Sequence, residues 1–198
     1  MLELILYHGN TESAVDQIVA SQTLPVHLMS TGDGHYLGDG YYFYQDIEQA
    51  KIWSIMKVTR KEKYRNDAWA VLRSTVRFAE GKYMDLDSRE HQDFFFKEMM
   101  RLREVIHSQH LKVEQYSDSY MCNHLARILG LDIIAKTFAY KNKHEAYPPL
   151  FSNERSRPYG ITRHFRTEKQ YCVRNSAVAV TLEKVMRGDN PQKRGAML

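Results

Sequence analysis

Cysteine is scarce in this 198-residue chain, with Cys122 and Cys172 the two present. Two thiols cannot build a disulfide framework, and no CxxC pair offers zinc its usual spacing, which points to a reducing compartment. Long apolar runs are missing as well. No stretch approaches the ~20 residues a membrane span needs, and the apolar opening, residues 1–6, lacks the basic start and small-residue cleavage site of a signal peptide. The expectation is a soluble, cytoplasmic protein with no membrane partner. Internal repeats and low-complexity tracts are absent, and the formal net charge of +4 is mild. Such a surplus permits a polyanionic or nucleotide-like partner without requiring one.

What the chain does have is one domain's worth of apolar residues, 43%, and an aromatic share of 12%. Length and composition predict a single domain over 1–187 and a flexible tail over 188–198. Residues 3–7 read as a strand stopped by a turn at His8-Gly9-Asn10, with Asn10 or Thr11 capping a helix over 12–21. A loop over 27–39 leads to an aromatic strand, Tyr41-Tyr42-Phe43-Tyr44, and Asp46 caps the next helix. Residues 68–78 alternate as a strand does. Helices follow over 88–108, from an Asp87 or Ser88 cap, and over 118–129, ending at Gly130. Residues 133–140, 170–174 and 177–182 read as strands. Residues 142–160 hold three prolines and form a long loop of the kind that is disproportionately functional. This order lacks regular βα alternation and predicts an α+β domain.

Three segments carry residues suited to chemistry. His8-Gly9 ends the first strand, where an imidazole can project into a cleft and the glycine lets a ligand approach the backbone; a surface or structural histidine is the plainer alternative. Gly38-Asp39-Gly40-Tyr41-Tyr42-Phe43 pairs tight backbone turning with flat aromatic faces; a hairpin entry with core aromatics reads equally well. In the third, Glu168 and Gln170 are two apart, so both point to one side of a strand that begins this early, where they could hold sugar hydroxyls, unless the segment is a charged loop.

Together the three segments resemble the ADP-ribosyltransferases, in the branch of the poly(ADP-ribose) polymerases and diphtheria toxin, whose site is marked by His, Tyr and Glu on three strands. The match covers residues 6–54 and about 165–175. Leu6-Tyr7-His8-Gly9 stands for the first motif and Gly38-Asp39-Gly40-Tyr41-Tyr42-Phe43 for the second. Trp53, eleven positions after Tyr42, supplies the aromatic of the helix that follows. The resemblance implies a split mixed and antiparallel sheet with an inserted helical segment, and NAD as co-substrate without a metal. It implies that His8 binds ribose hydroxyls, that the Gly9 backbone grips the nicotinamide carboxamide, that Gly40 belongs to the NAD site, and that Tyr42 and Trp53 sandwich the nicotinamide ring. Ala50 stands where many relatives have a serine. Gln170 aligns with the catalytic Glu; it can hydrogen-bond a ribose hydroxyl but brings no charge and cannot act as a base. Glu168 is the substitute. The implied activity is mono-ADP-ribosyl transfer, in the manner of an intracellular toxin of a toxin–antitoxin or phage-defence module with an antitoxin partner.

The acceptor is expected to be a macromolecule, RNA or DNA or a protein. Arg155, Arg157, Arg163, His164 and Arg166, interleaved with Tyr159 and Phe165, make a basic, aromatic stretch suited to single-stranded nucleic acid, to the pyrophosphate of NAD, or to plain solvation. Arg163, Phe165 and Arg166 are the acceptor-binding candidates. An NAD glycohydrolase and a non-catalytic nucleotide or nucleic-acid binder stay open beside the transferase. His107, His110 and His124 read as surface or structural histidines and form no metal signature.

Overall fold

Pairing with residues 69–72 carries the first strand past the predicted turn, so that β1 spans Leu2–Thr11 and holds His8, Gly9 and Asn10 within it. This computed structural model describes residues 1–110, 117–139 and 167–192. The basic stretch with Arg163, Phe165 and Arg166, the loop over 142–160 and the end of the tail lie outside them. Thr11 caps α1 (Glu12–Ser21), its hydroxyl accepting the Ala14 N–H at 3.3 Å. Then come β2 (Tyr41–Tyr44) and α2 (Ile47–Arg60), the latter capped by Asp46, which accepts the Glu48 N–H at 2.9 Å. β3 (Trp69–Phe78) and the short β4 (Tyr83–Asp85) precede α3 (Arg89–Ser108) and α4 (Asp118–Leu129). Ser88 is the N-cap residue of α3, one of the two expected, but its side chain makes no capping bond, and the Asp87 carboxylate accepts from the amide and hydroxyl of Thr137. Gly130 closes α4 at φ +61°, the left-handed conformation that glycine adopts without a Cβ penalty. β5 (Ile133–Ala139), β6 (Thr167–Val173) and β7 (Ala179–Gly188) complete the described elements.

The seven strands form one mixed sheet in the order β4-β5-β6-β2-β1-β3-β7, antiparallel except for the β4–β5 pair. With four helices packed around it, the domain is α+β. Side-chain alternation divides its residues among three apolar clusters. Phe43, Leu72 and Tyr171 meet Val15 and Ile18 of α1. Tyr44 and Val71 meet Ala50 and Val58 of α2. Ile134 and Cys172 meet Leu125 of α4.

Two further places differ from the sequence expectation with clear causes. β6 begins three residues earlier than the apolar run, because its first half is polar yet pairs with β5 through Thr137↔Lys169 and Phe138↔Glu168. The stretch expected to fray from 188 is held through 192. Asn190 is 1% exposed and donates to the carbonyls of Val58 and Arg65, both at 2.9 Å.

Candidate functional site

The centre of the sheet is where its pairing is thinnest. β1 matches β3 along its whole length, from Leu2↔Phe78 to Thr11↔Trp69, but meets β2 only at Tyr7↔Tyr44. Beyond that pair the His8 imidazole takes the place of a ladder amide, with its Nδ1 2.8 Å from the Tyr42 carbonyl oxygen. A cavity of about 380 Å³ opens at this split, toward the lower end of small-molecule sites. His8, Gly9, Tyr42, Trp53 and Gln170, which span the chain from β1 to β6, all line it. Gly40, by contrast, is not part of its wall. A Cβ there would come within 2.4 Å of Cys172 Sγ, so Gly40 lets β2 pack on β6.

The protonation of His8 follows from its neighbours. Asn10 Oδ1 accepts two donors, the Thr11 amide at 2.8 Å and Lys57 Nζ at 2.6 Å, which turns its amide nitrogen toward His8 Nε2 at 3.1 Å. Nε2 is therefore the acceptor, and the proton sits on Nδ1, donated to Tyr42. Burial, opposed by the Tyr42 bond and reinforced by the charge of Lys57, lowers the His8 pKa to about 4, so the ring is neutral at pH 7. A ribose hydroxyl donating to Nε2 must share it with Asn10 or displace that amide.

Gly9 is needed for close approach. A Cβ at this position would lie 1.9 Å from the Ala50 carbonyl oxygen, so the bare backbone of β1 lets α2 sit directly upon it. Ala50 itself is fully buried under that contact. The two aromatic candidates have different settings. The Tyr42 hydroxyl donates to the Gly38 carbonyl at 2.8 Å and accepts the Leu37 amide at 3.1 Å, while its ring tilts against His35 with centroids 5.4 Å apart. Burial raises its pKa far above the ordinary phenol range, which keeps it neutral. Trp53 stacks on Tyr44, 14° from parallel at 6.3 Å, rather than on Tyr42.

Glu168 and Gln170 point to one side of β6, as their spacing predicts, and touch: the Gln170 amide donates to Glu168. Gln170 lines the main cavity, whereas Glu168 faces an adjoining depression beyond Tyr44. The carboxylate is 6% exposed and also accepts from the Gln49 amide and, at 3.3 Å, from Trp53 Nε1. One buried negative charge thus orients both the indole and the amide at the cavity's edge. Lys169 points the opposite way. Burial disfavours its charge, but hydrogen bonds to Asp85 and Asp87 prevail and raise its pKa.

Sequence reasoning missed Asn10, Tyr44 and Lys57. Period two along the strands joins Asn10 to His8 and Tyr44 to Tyr42, and the four-residue helical spacing joins Lys57 to Trp53. Among the described residues, no group of three or more His, Cys, Asp or Glu is placed to hold a metal ion, and no helix is long and apolar enough to cross a membrane.

The uncharacterized protein MJ0359 of Methanocaldococcus jannaschii is 28% identical over 196 residues, covering 92% of this chain and 87% of that protein. No family model and no solved structure matches.

Proposed function

We propose that the chain is an NAD-dependent mono-ADP-ribosyltransferase acting on a macromolecular acceptor, nucleic acid or protein. The observation that carries this reading is the convergence of His8, Gly9, Tyr42, Trp53 and Gln170 on one cavity at the split of the sheet, with the Glu168 carboxylate bonded to two of them. The wall fits the co-substrate. Aromatic rings suit a flat nicotinamide, the Gly9 backbone lies at the wall beside them, and Lys57, Arg60 and Lys61, which line the same cavity, suit phosphates.

In the reaction the bond from the ribose C1′ to the nicotinamide nitrogen breaks, its electron pair leaves with nicotinamide, and an acceptor nucleophile bonds to C1′ and gives up its proton. The residues present serve that course by binding and orientation. Tyr42 and Trp53 hold the leaving ring. Neutral His8 offers a ribose hydroxyl an acceptor. Gln170 hydrogen-bonds the sugar, and Glu168 behind it supplies negative charge against the positive charge developing at C1′ and a base for the departing proton. The role of a toxin with an antitoxin partner is the biological setting proposed for such an activity, by analogy with the resemblance.

The test is incubation with labelled NAD and a cell lysate. Nicotinamide release that depends on the lysate, with label in a macromolecule, is expected; nuclease or protease then identifies the acceptor. Release with water alone marks a glycohydrolase, and no release overturns catalysis. Replacing His8 or Tyr42 by Ala abolishes labelling, and Glu168→Ala or Gln170→Ala lowers it at least ~10-fold. Full activity in both of the latter variants refutes the site.

A further inference from the structure

The cavity wall has a second chemical character at its far end. Along α2, Trp53, Met56, Lys57 and Arg60 follow the helical spacing that places side chains on one face, and all four line the cavity, together with Lys61 at the helix cap. The aromatic and cationic ends of that face are about 10 Å apart at the helical rise. Among the described residues the wall holds three cations, Lys57, Arg60 and Lys61, and no carboxylate. Several other described cations have carboxylate partners: Lys51 with Glu48, Lys169 with Asp85 and Asp87, Lys184 with Glu12 and Asp16. Within the described residues Arg60 and Lys61 have no ion-pair partner, and Lys57 bonds the neutral Asn10. Burial, and then repulsion from Lys61 and Lys63, lowers the Lys57 pKa to about 8. The helix C-terminus favours cations at this position, which explains their stability there but not their convergence on a cavity.

We infer that Lys57, Arg60 and Lys61 form an anion subsite that holds the diphosphate of a dinucleotide whose flat ring lies against the Trp53 end. This inference rests on the function proposed above and assigns the diphosphate to α2 rather than to the basic stretch before β6. A ligand with a planar ring at one end and a doubly charged linker one ribose away matches the order of side chains along the helix. Arg60 and Lys61 are exposed and bring mobile charge to the rim; Lys57 is half-buried and ties the subsite through Asn10 to His8. A phosphodiester of a nucleic-acid acceptor offers similar chemistry, and the test separates the two.

Binding of ADP-ribose and of adenosine is measured by titration calorimetry on the full chain and on the double variant Arg60→Ala/Lys61→Ala, with circular dichroism to verify the fold. Lys51→Ala, on the same helix and paired with Glu48, is the control. The parent protein is expected to prefer ADP-ribose at least tenfold, the double variant to lose that preference, and the control to keep it. Equal binding of the two ligands by the parent, or a preference that survives in the double variant, overturns the inference. So does a double variant that keeps ADP-ribose binding but loses a short single-stranded RNA, because the cations then serve an acceptor. NAD turnover without dependence on Arg60 and Lys61 refutes the subsite alone. ADP-ribose binding that depends on them, without turnover, refutes the transferase alone.

Discussion

Gly9→Ala is the most informative single change, because Gly9 lines the cavity and also carries the contact between β1 and α2. The added Cβ would stand 1.9 Å from the Ala50 carbonyl oxygen and 2.9 Å from Ser54 N, all helix backbone that no rotamer can move. Restoring even a tight 3.0 Å contact demands a separation of about 1 Å between strand and helix. The helix cannot retreat freely, since Ala50, Ser54 and Val58 are fully buried beneath it. Overpacking of this kind costs roughly 3 kcal/mol, the upper part of the usual range, because backbone meets backbone. For a domain of this length that lowers Tm by roughly 6–12 °C. Gly81→Ala is the control: its Cβ meets nothing within 4 Å and its φ is not positive, so its effect is expected within ~0.5 kcal/mol of neutral, or slightly stabilising. Urea unfolding of the three proteins, compared at equal m values, provides the measurement. A Gly9→Ala protein within ~0.5 kcal/mol of the parent would show that α2 does not rest on β1 in this way, and the placement of Trp53 and Lys57 would fall with it.

Two further predictions concern His8 and Asn190. The pKa of His8 falls from 6.5 to about 4 on folding, so the unfolded chain binds the extra proton first. Its neutral, buried state costs nothing above pH 6.5, and stability is lost as pH drops from 6.5 to about 4, up to roughly 3 kcal/mol. The urea midpoint followed over this window should drop more steeply for the parent than for His8→Gln; equal slopes would refute the assignment. Asn190→Ala removes the donor to the Val58 and Arg65 carbonyls and should destabilise by about 1–2 kcal/mol. A tail that merely frays predicts no change on denaturant unfolding.

Local chemistry made much of the molecule legible. The period-two pattern of 68–78, the aromatic run of β2, the Asp46 and Thr11 caps and Gly130 after α4 each bear the signal of the element they form or end. The one-sided pair Glu168 and Gln170 was equally readable, because strand alternation needs only the sequence separation of two. β6 began earlier than its apolar residues because pairing with β5, a long-range event, makes strands of polar residues too. Ser88 makes no capping bond, and the Asp87 carboxylate goes to Thr137, which no local rule anticipates.

The sequence by itself determined the types of side chain available to a site: a histidine before a glycine, tyrosines on a short strand, a tryptophan on the helix after it, a carboxylate and an amide two apart. Those are properties of neighbours along the chain, governed by local periodicity and turn chemistry. The tertiary structure decided which of them face one another. It sent Gly40 to packing and Gln170 to the cavity, set Trp53 against Tyr44, and linked His8 through Asn10 to Lys57. The physical reason is that strand pairing and burial act between residues far apart in sequence: they fix a proton on Nδ1 of His8 and bring the face that helical spacing gives α2 to one cavity.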